Sequence, residues 1–270
     1  MILSSSRPLE IPARANAWLR RSTALLLVVG LAGCGAAPVE PFSLTTTGLA
    51  NGLVAHWPFD ETGGVMVGDS SGNGRNGQIT GDTFMWMPTG GRFGGGLQLK
   101  TGDSVAISMV PHATMDWTVS VWIKQSEGDK AALIDESRAV LLSTERPSMG
   151  GWEIEFDPRP GFEYLEVSYF TSNTYPILNY RPIEIDRWTQ FTAVFDGTNS
   201  RFSLYHDGLL VDSATMPGPI LTGDTTLNIG RWMQGARPIS GVIDDYAIWM
   251  RALTADEVAT LHVIPAPDSL

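Results

Sequence analysis

The sequence predicts an all-β fold, a jelly-roll-like sandwich of two antiparallel sheets with one short helix near the C-terminus. Three observations predict it: short segments alternate apolar and polar residues, glycine-containing turns separate these segments, and only one segment begins with a helix-capping sequence. Strands and helices do not alternate along the chain, which argues against an α/β fold. The 29 glycines and nine tryptophans fit aromatic-rich strands joined by tight turns.

Alternation identifies the individual strands. In each of four segments one side is apolar and the other is polar, as in half-buried antiparallel strands. Asp207-Gly208 lies between two such stretches and predicts a tight hairpin, and Asp196-Gly197 marks another turn. The four segments are 117–124, 152–157, 191–195 and 201–205.

One helix is predicted at residues 255–262. Thr254 can cap its first turn, and Glu257, three residues later, completes a capping box. The last residues, 263–270, contain two prolines and are predicted to form a free tail. The apolar side of the helix, which would pack on a sheet, consists of Leu253, Val258 and Leu261.

The first 33 residues have the three parts of an export signal. Basic residues precede a short apolar stretch at 24–29, and small residues follow it. The apolar stretch is too short to span a bilayer. Small residues directly before Cys34, the only cysteine, resemble the cleavage motif of bacterial lipoproteins, in which the cysteine then carries acyl chains such as palmitate. An ordinary signal peptide with a chance cysteine is the alternative.

This resemblance sets the predicted location of the protein. Residues 34–49 lack apolar periodicity and are predicted to tether the domain to the lipid on Cys34. Gly35 is not an acidic residue of the kind that retains some lipoproteins, so we expect a membrane-anchored protein outside the cytoplasm, at the outer membrane or cell surface.

Composition excludes some partners and favours others. The formal net charge of −11 would repel phosphate backbones, so nucleic acid is not an expected partner. The same charge suits divalent cations. Because the single cysteine is assigned to lipid, no intramolecular disulfide is expected, and stability must come from the core, with a bound metal as an optional further source.

The order of the motifs resembles the concanavalin A-like, laminin-G-like jelly roll of many secreted bacterial proteins, over residues 50–262. The resemblance implies two antiparallel sheets, one of them concave, with loops at the rim. Members of this class bind glycans or proteins, serve as accessory modules of enzymes or stabilise larger assemblies, and the fold does not choose among these. The motifs include LVAHWPFDE at 53–61, DSSGNG at 69–74, WTVSVW at 117–122, LYHDG at 204–208 and GVIDDYAIW at 241–249.

The resemblance also implies a structural calcium ion near the opening and closing strands. Calcium is bound by six to eight oxygens from carboxylates, amides and backbone carbonyls. The resemblance assigns ligand roles to Asp60, Asn73 and Asp244, and also to Asp69. The alternative is that these residues stabilise turns by hydrogen bonds to the backbone, and that Asp244 bonds a neighbouring backbone group.

The acidic residues of one predicted strand, 152–157, bear on whether the protein is an enzyme. Glu153, Glu155 and Asp157 fall on one face, as do the catalytic carboxylates of glucanases of this broad fold class. The pattern departs from theirs, because the middle residue is glutamate, the last is aspartate, and Pro158 follows at once. The favoured interpretation is the solvent side of an amphipathic strand whose apolar residues face the core. Those apolar residues are Trp152, Ile154 and Phe156.

Aromatic residues in irregular stretches are the candidate sugar platforms, because sugar sites place a ring against the sugar face. Packing at the edge of the core is the alternative for each of them. The candidates are Trp86, Trp232, Tyr175 and Tyr180, whereas Trp57, Trp117, Trp122 and Trp188 are predicted to pack.

The sequence therefore predicts a non-catalytic, lipid-anchored module that binds a carbohydrate or glycoconjugate. A structural or adhesion protein that binds a protein at the cell surface is one alternative. A divergent glycoside hydrolase that uses Glu153 and Asp157 is another.

Overall fold

A computed structural model of the protein describes residues 48–100, 102–111, 116–126, 139–143, 151–157, 164–181, 184–221, 225–230 and 239–266. For residues 139–143 and Asp157 it describes the backbone. The predicted roles of Cys34 and Trp232 fall on residues outside these ranges. All described residues belong to one unit of the chain, residues 43–270.

The described chain forms sixteen strands followed by one helix. The strands are β1 (Leu53–Trp57), β2 (Met66–Val67), β3 (Gly77–Thr80), β4 (Met85–Trp86), β5 (Leu97–Leu99), β6 (Ser104–Ile107), β7 (Asp116–Gln125), β8 (Ala139–Ser143), β9 (Trp152–Asp157), β10 (Tyr164–Tyr169), β11 (Ile177–Tyr180), β12 (Thr189–Asp196), β13 (Arg201–His206), β14 (Leu209–Thr215), β15 (Leu227–Ile229) and β16 (Gly241–Trp249), and the helix is α1 (Ala255–Leu261).

The strands form two antiparallel sheets of eight, which confirms the predicted sandwich. Sheet A has the order β14-β13-β12-β7-β16-β5-β4, and β1 also pairs with β16. Sheet B has the order β11-β10-β9-β8-β15-β6-β3-β2. β1 pairs with residues 246–249 of β16, and β5 pairs with residues 241–243 of the same strand. The last strand of the domain therefore lies beside two of its early strands.

Alternate residues of both sheets build the core between them. Trp152, Ile154 and Phe156 of β9 face this core, as the alternation predicts. Trp57 and Trp117 belong to the same cluster, so their predicted packing role is confirmed. Its other large members include Phe191, Phe195, Phe202, Tyr169 and Tyr246.

A second apolar cluster covers the outer face of sheet A, where α1 packs. Val258 and Leu261 of the helix contact residues of β16 and β13 there. The predicted capping box is present: the Thr254 side chain accepts from the Glu257 N–H, and the Glu257 carboxylate accepts from the Thr254 N–H. At the other end, the Gln190 amide donates to the Leu261 carbonyl, so tertiary structure supplies the partner for that helix carbonyl.

Both ends of the described chain pack more closely than predicted. Ala266 is buried, and its N–H donates to the Asp245 carboxylate, so the prediction of a free tail is wrong up to this residue. Leu49, predicted as the end of the tether, is buried beneath Trp249, whose indole N–H donates to the Leu49 carbonyl at 2.6 Å. Non-local contacts, which turn residues in the sequence do not reveal, fix both segments.

Candidate functional site

A bulge in β16 places two neighbouring carboxylates on the outer face of sheet A. The register with β7 shifts between Asp244 and Ala247, and Asp245 has a left-handed backbone with φ of 48°. In a regular strand one of two adjacent residues would point into the core. The bulge removes this conflict, and aspartate tolerates the left-handed conformation better than most side chains.

Asp245 is paired with His56 of the neighbouring strand β1. The His56 Nε2 atom lies 2.7 Å from the Asp245 Oδ1 atom, and both side chains are buried. The N–H of Ala266 donates to the same carboxylate. This pair therefore joins the first strand, the last strand and the segment after the helix.

A cleft of about 530 Å³ opens above the pair. Asp60 and Glu61 line it together with Pro58 and Phe93, so acidic and apolar side chains share its walls. Phe59 has a left-handed backbone with φ of 55° while its ring is buried in the core. Because the ring anchors this strained turn, the next residue, Asp60, is directed outward. We call this region the bulge cleft.

The Asp244 carboxylate is buried, and only one of its two oxygens accepts a hydrogen bond from the described residues. Its Oδ2 atom accepts the N–H groups of Arg92 and Phe93 at 2.7 and 2.8 Å, whereas Oδ1 finds no donor among the described residues. Burial, aided by the neighbouring charge of Asp245, outweighs these hydrogen bonds and raises the pKa of Asp244 to about 7. A cation beside Oδ1 would remove this penalty.

Asp60 and Asp244 hold the same glycine-rich loop. The Gly95 N–H donates to Asp60 Oδ1 at 2.6 Å, while Asp244 accepts from the residues just before it. A side chain at Gly91 would collide with the Gly95 carbonyl, so only glycine fits there. Two of the four predicted calcium ligands thus flank one loop.

The other two predicted ligands stabilise a turn. Asp69 accepts the N–H groups of His56, Ser71 and Arg75. Burial opposes ionisation of Asp69, but these hydrogen bonds outweigh it and lower its pKa. The Asn73 amide donates to the Val54 carbonyl.

This geometry matches the turn alternative for Asp69 and Asn73. Within the described residues, no three His, Cys, Asp or Glu side chains are grouped closely enough to hold a metal. The calcium site therefore stays a prediction, and its best-placed ligands are Asp60 and Asp244.

The outer face of sheet B carries a row of buried polar residues, which we call the glutamate face: Glu153, Glu155, Glu166 and Ser168. Strand pairing places Glu155 opposite Glu166, and Glu153 opposite Ser168. Glu153 is 2% exposed and Glu155 0%, so the interpretation of this side of β9 as a solvent face is wrong. Strand periodicity identifies which residues share a face, but not what covers them.

Tyr175 sits at the edge of the glutamate face. Its hydroxyl donates to Glu153 Oε1 at 2.7 Å and lies 2.7 Å from Ser168 Oγ. Its ring is half-buried and contacts Phe170, with ring centroids 4.5 Å apart. The hydroxyl group of this aromatic residue is therefore hydrogen-bonded to both the Ser168 hydroxyl and the Glu153 carboxylate.

The other predicted platforms are more engaged in packing. Trp86 is half-buried against the core, and its indole N–H donates to the Gly64 carbonyl. Tyr180 stacks on His206 at 4.2 Å and also packs on the core. Trp122 is fully buried, as predicted, and stacks on His262, whereas Trp188 is half-buried with Lys124 over its ring.

Sequence reasoning missed the His56–Asp245 pair. One signal could have found it, because adjacent acids in the otherwise apolar segment 241–249 cannot both avoid the core without a bulge. The partner His56 lies 189 residues away, and no local pattern marks it.

The fold agrees with comparisons to known proteins. Residues 99–259 match the profile of the concanavalin A-like lectin/glucanase superfamily, a laminin-G-type profile, so the chain belongs to that family. A search of curated protein sequences found no match.

Solved structures with the same fold include an arabinanase domain and toxin binding domains. Domain 4 of AbnA, an extracellular arabinanase from Geobacillus stearothermophilus, was solved with arabinotriose; it is 23% identical, with 78% of this chain and 98% of that chain covered and a TM-score of 0.59. The receptor binding domain of botulinum neurotoxin D is 16% identical, with 79% and 53% covered and a TM-score of 0.60. The match spans about half of the toxin domain.

The described part of the chain contains no helix that is long and apolar enough to cross a bilayer.

Proposed function

We propose that the protein is a non-catalytic module that binds a carbohydrate or glycoconjugate outside the cytoplasm, held to a membrane by acyl chains on Cys34. The observation that carries the binding function is the Tyr175 site at the edge of the glutamate face. There, one hydroxyl joins Glu153 and Ser168 beside the Phe170–Tyr175 ring pair.

This arrangement suits a sugar for two physical reasons. The faces of aromatic rings cover the apolar C–H face of a sugar, and charged acceptors such as Glu153 form strong hydrogen bonds to hydroxyl groups. Tyr175 and Ser168 can donate or accept, so a sugar hydroxyl could join their hydrogen-bond network without leaving a buried group unsatisfied. The arabinotriose bound to the related arabinanase domain supports this ligand class.

The test of binding is calorimetric titration with arabinotriose and a panel of soluble glycans. We expect Tyr175→Ala to abolish binding, and Tyr175→Phe, which keeps the ring, to weaken it by about 1 kcal/mol or more because one hydrogen bond is lost. Tyr180→Ala is the matched control and should retain binding. Unchanged affinity in Tyr175→Ala would refute this site, and capture of a surface protein without any glycan binding would favour the adhesion alternative.

We also propose that Asp60 and Asp244 bind a structural calcium ion. The support is the unsatisfied Oδ1 atom of Asp244 beside a loop that both carboxylates hold. Calcium should raise the melting temperature of the native chain, and a chelator should reverse this effect. Asp244→Asn should remove the response, whereas Asn73→Ala should retain it. A melting temperature that does not respond to calcium in the native chain would exclude the ion.

Membrane anchoring is tested directly by mass spectrometry of the protein purified from a bacterial membrane fraction. The proposal expects an N-terminus at Cys34 that carries acyl chains. A free thiol would exclude anchoring and leave the glycan proposal standing.

The burial of three glutamates on one face makes a hydrolase the second candidate. Glu155 and Glu166 are directly opposite each other, a pairing that sequence reasoning did not anticipate in its choice of Glu153 and Asp157. Release of reducing sugar from β-glucans or arabinans, lost in Glu153→Gln or Glu155→Gln, would establish this activity. Absence of release by the native chain would favour the binding module.

A further inference from the structure

Three asparagines in the sequence directly precede a glycine: Asn51, Asn73 and Asn76. In such a pair the glycine nitrogen can attack the asparagine side-chain carbonyl, because glycine has no side chain that hinders the approach. Hydroxide removes the glycine N–H proton, the nitrogen bonds to Cγ, and the Cγ–Nδ2 bond breaks with release of ammonia, which takes a proton from water. Water then opens the resulting succinimide ring to aspartate or isoaspartate. The side chain must turn toward the next peptide group, so the fold decides which asparagine reacts.

Asn73 is held by its side-chain amide. The Nδ2 atom donates to the carbonyls of Leu53 and Val54 and to Ser71 Oγ, at distances of 3.0–3.3 Å. Turning the side chain toward the nitrogen of Gly74 would move the amide away from these acceptors. The reaction at Asn73 therefore requires the loss of several hydrogen bonds before the ring can close.

Asn76 is held by its side-chain oxygen and by the strand that follows it. The Oδ1 atom accepts the Asp69 N–H at 2.9 Å. Gly77 is the first residue of β3, is buried, and pairs with residues of both β2 and β6. A side-chain carbon at Gly77 would lie only 2.7 Å from Val105, so this peptide group is closely packed. Ring closure would require this paired segment to separate from its neighbours, and Asn76 is therefore protected.

Asn51 has neither restraint. Its side chain is exposed and makes no hydrogen bond with a described residue. Gly52 is exposed in the turn before β1, has a left-handed backbone with φ of 73°, and its N–H has no acceptor among the same residues. Neither reacting group therefore has to give up a hydrogen bond before the ring closes.

The carbonyl between Asn51 and Gly52 accepts from a charged donor. Arg251 Nε donates to this oxygen at 2.7 Å, and the guanidinium is fixed by two hydrogen bonds to the Glu257 carboxylate at 2.7 and 2.8 Å. When the Gly52 nitrogen loses its proton, part of the negative charge lies on the oxygen of the same peptide group. A guanidinium at hydrogen-bond distance stabilises that charge, so Arg251 favours the form of the nitrogen that attacks.

We propose that Asn51 is a self-modification site, at which the Gly52 nitrogen converts the amide to aspartate or isoaspartate in the folded chain, with Arg251 as a positioning residue. The other two Asn-Gly pairs remain amides. Isoaspartate lengthens the main chain by one methylene group just before β1, which shifts the carbonyl at position 51 away from Arg251. This change loosens the preceding residue Leu49, which packs in the second apolar cluster, so conversion lowers the melting temperature.

The test is peptide mass spectrometry of the full chain after storage in mildly alkaline buffer. In the folded chain, conversion from amide to acid should be at least about tenfold faster at position 51 than at positions 73 and 76, where hydrogen bonds must break first. In urea the three positions should convert at similar rates, because each is then an unfolded Asn-Gly pair. Storage should lower the melting temperature of the native chain but not that of Asn51→Gln.

Arg251→Met tests the positioning role, because it removes the charge and keeps a long side chain. Conversion at position 51 should slow several-fold in the folded variant and stay unchanged in urea. Arg251→Lys, which restores a positive charge, should recover part of the rate. Arg201→Met, at an exposed arginine of β13, is the matched control and should change neither rate. Melting temperatures verify that each variant is folded.

Three results would overturn the inference. Conversion at position 73 or 76 as fast as at position 51 in the folded chain would show that the fold does not select the site. An unchanged amide at position 51, while the chain in urea reacts, would show that the fold protects it. A rate at position 51 that Arg251→Met leaves equal or increases would remove Arg251 from the reaction.

Discussion

The inner faces of the two sheets are both apolar, but their outer faces differ in chemistry. On sheet A, apolar residues of β12, β13 and β16 lie beneath α1 and form a second core with Leu49. On sheet B, the corresponding face of β9 and β10 carries buried glutamates and hydroxyl groups. Burying apolar surface stabilises a fold, whereas burying carboxylates opposes it unless they are compensated.

This difference indicates which surface serves stability and which serves function. On sheet A, α1 and the first residues of the domain cover an apolar face, and burying that face stabilises the fold. On the glutamate face the covered groups are carboxylates and hydroxyls rather than apolar side chains, and buried carboxylates cluster at functional sites. The outer face of sheet A buries polar side chains as well, but Ser120, Gln190 and Thr192 are neutral and hydrogen-bond one another. The bulge at Asp244 and Asp245 adds carboxylates beside this cover.

The largest expected loss of stability follows from a change in the second apolar cluster, which covers sheet A. Trp249→Ala removes a fully buried ring and its hydrogen bond to Leu49, and we expect it to lower the free energy of unfolding by about 3–5 kcal/mol. Denaturant unfolding measures this change. The neighbouring exposed residue gives the control, since Met250→Ala should change stability by less than about 0.5 kcal/mol. Similar losses in both variants would show that the second apolar cluster is not a core.

A pH dependence should distinguish the bulge cleft from the rest of sheet A. The pKa of Asp244 rises from 3.8 to about 7 on folding, so the folded chain binds more protons between these values. Its stabilising contribution is fully present below pH 4 and is lost as the pH rises to about 7, with a slope of at most about 1.4 kcal/mol per pH unit.

The measurement is the difference in unfolding free energy between the native chain and Asp244→Asn across this range. The native chain should lose stability relative to the variant as the pH rises, and calcium should reduce that loss. Parallel curves for the two proteins would contradict the unsatisfied state of the Asp244 carboxylate.

The smallest expected loss of stability follows from a change at the glutamate face. Tyr175→Phe leaves the buried Glu153 without its hydroxyl donor, and we expect a loss of about 1–3 kcal/mol in the free energy of unfolding. Chemical denaturation with Tyr205→Phe as control tests this, because Tyr205 packs in the second cluster. An effect no larger than that of the control would mean that the hydroxyl network is not maintained in solution.

Local signals in the sequence predicted the parts of the molecule that local energetics decide. Thr254 and Glu257 predicted the start of α1, since the cap is formed within one turn. Asp207-Gly208 predicted the β13–β14 hairpin, and alternation predicted which residues of β9 face the core. The order of motifs predicted the jelly roll, although no single motif would have done so.

Residues that depend on distant partners were not predicted. Ala266 is held by Asp245, 21 residues earlier, and Asp245 by His56, 189 residues earlier. The same applies to the burial of Glu153 and Glu155, because alternation cannot show whether an outer face is covered.

The sequence by itself therefore determined the class of fold, the helix and the alternation of several strands, because strand periodicity, turn chemistry and capping act over a few residues. Only the tertiary structure decided that β16 bulges at its two aspartates, that the glutamates of β9 are buried, and that His56 pairs with Asp245. Those features arise where segments far apart in the chain meet, and the free energy of such contacts is not encoded in any one segment.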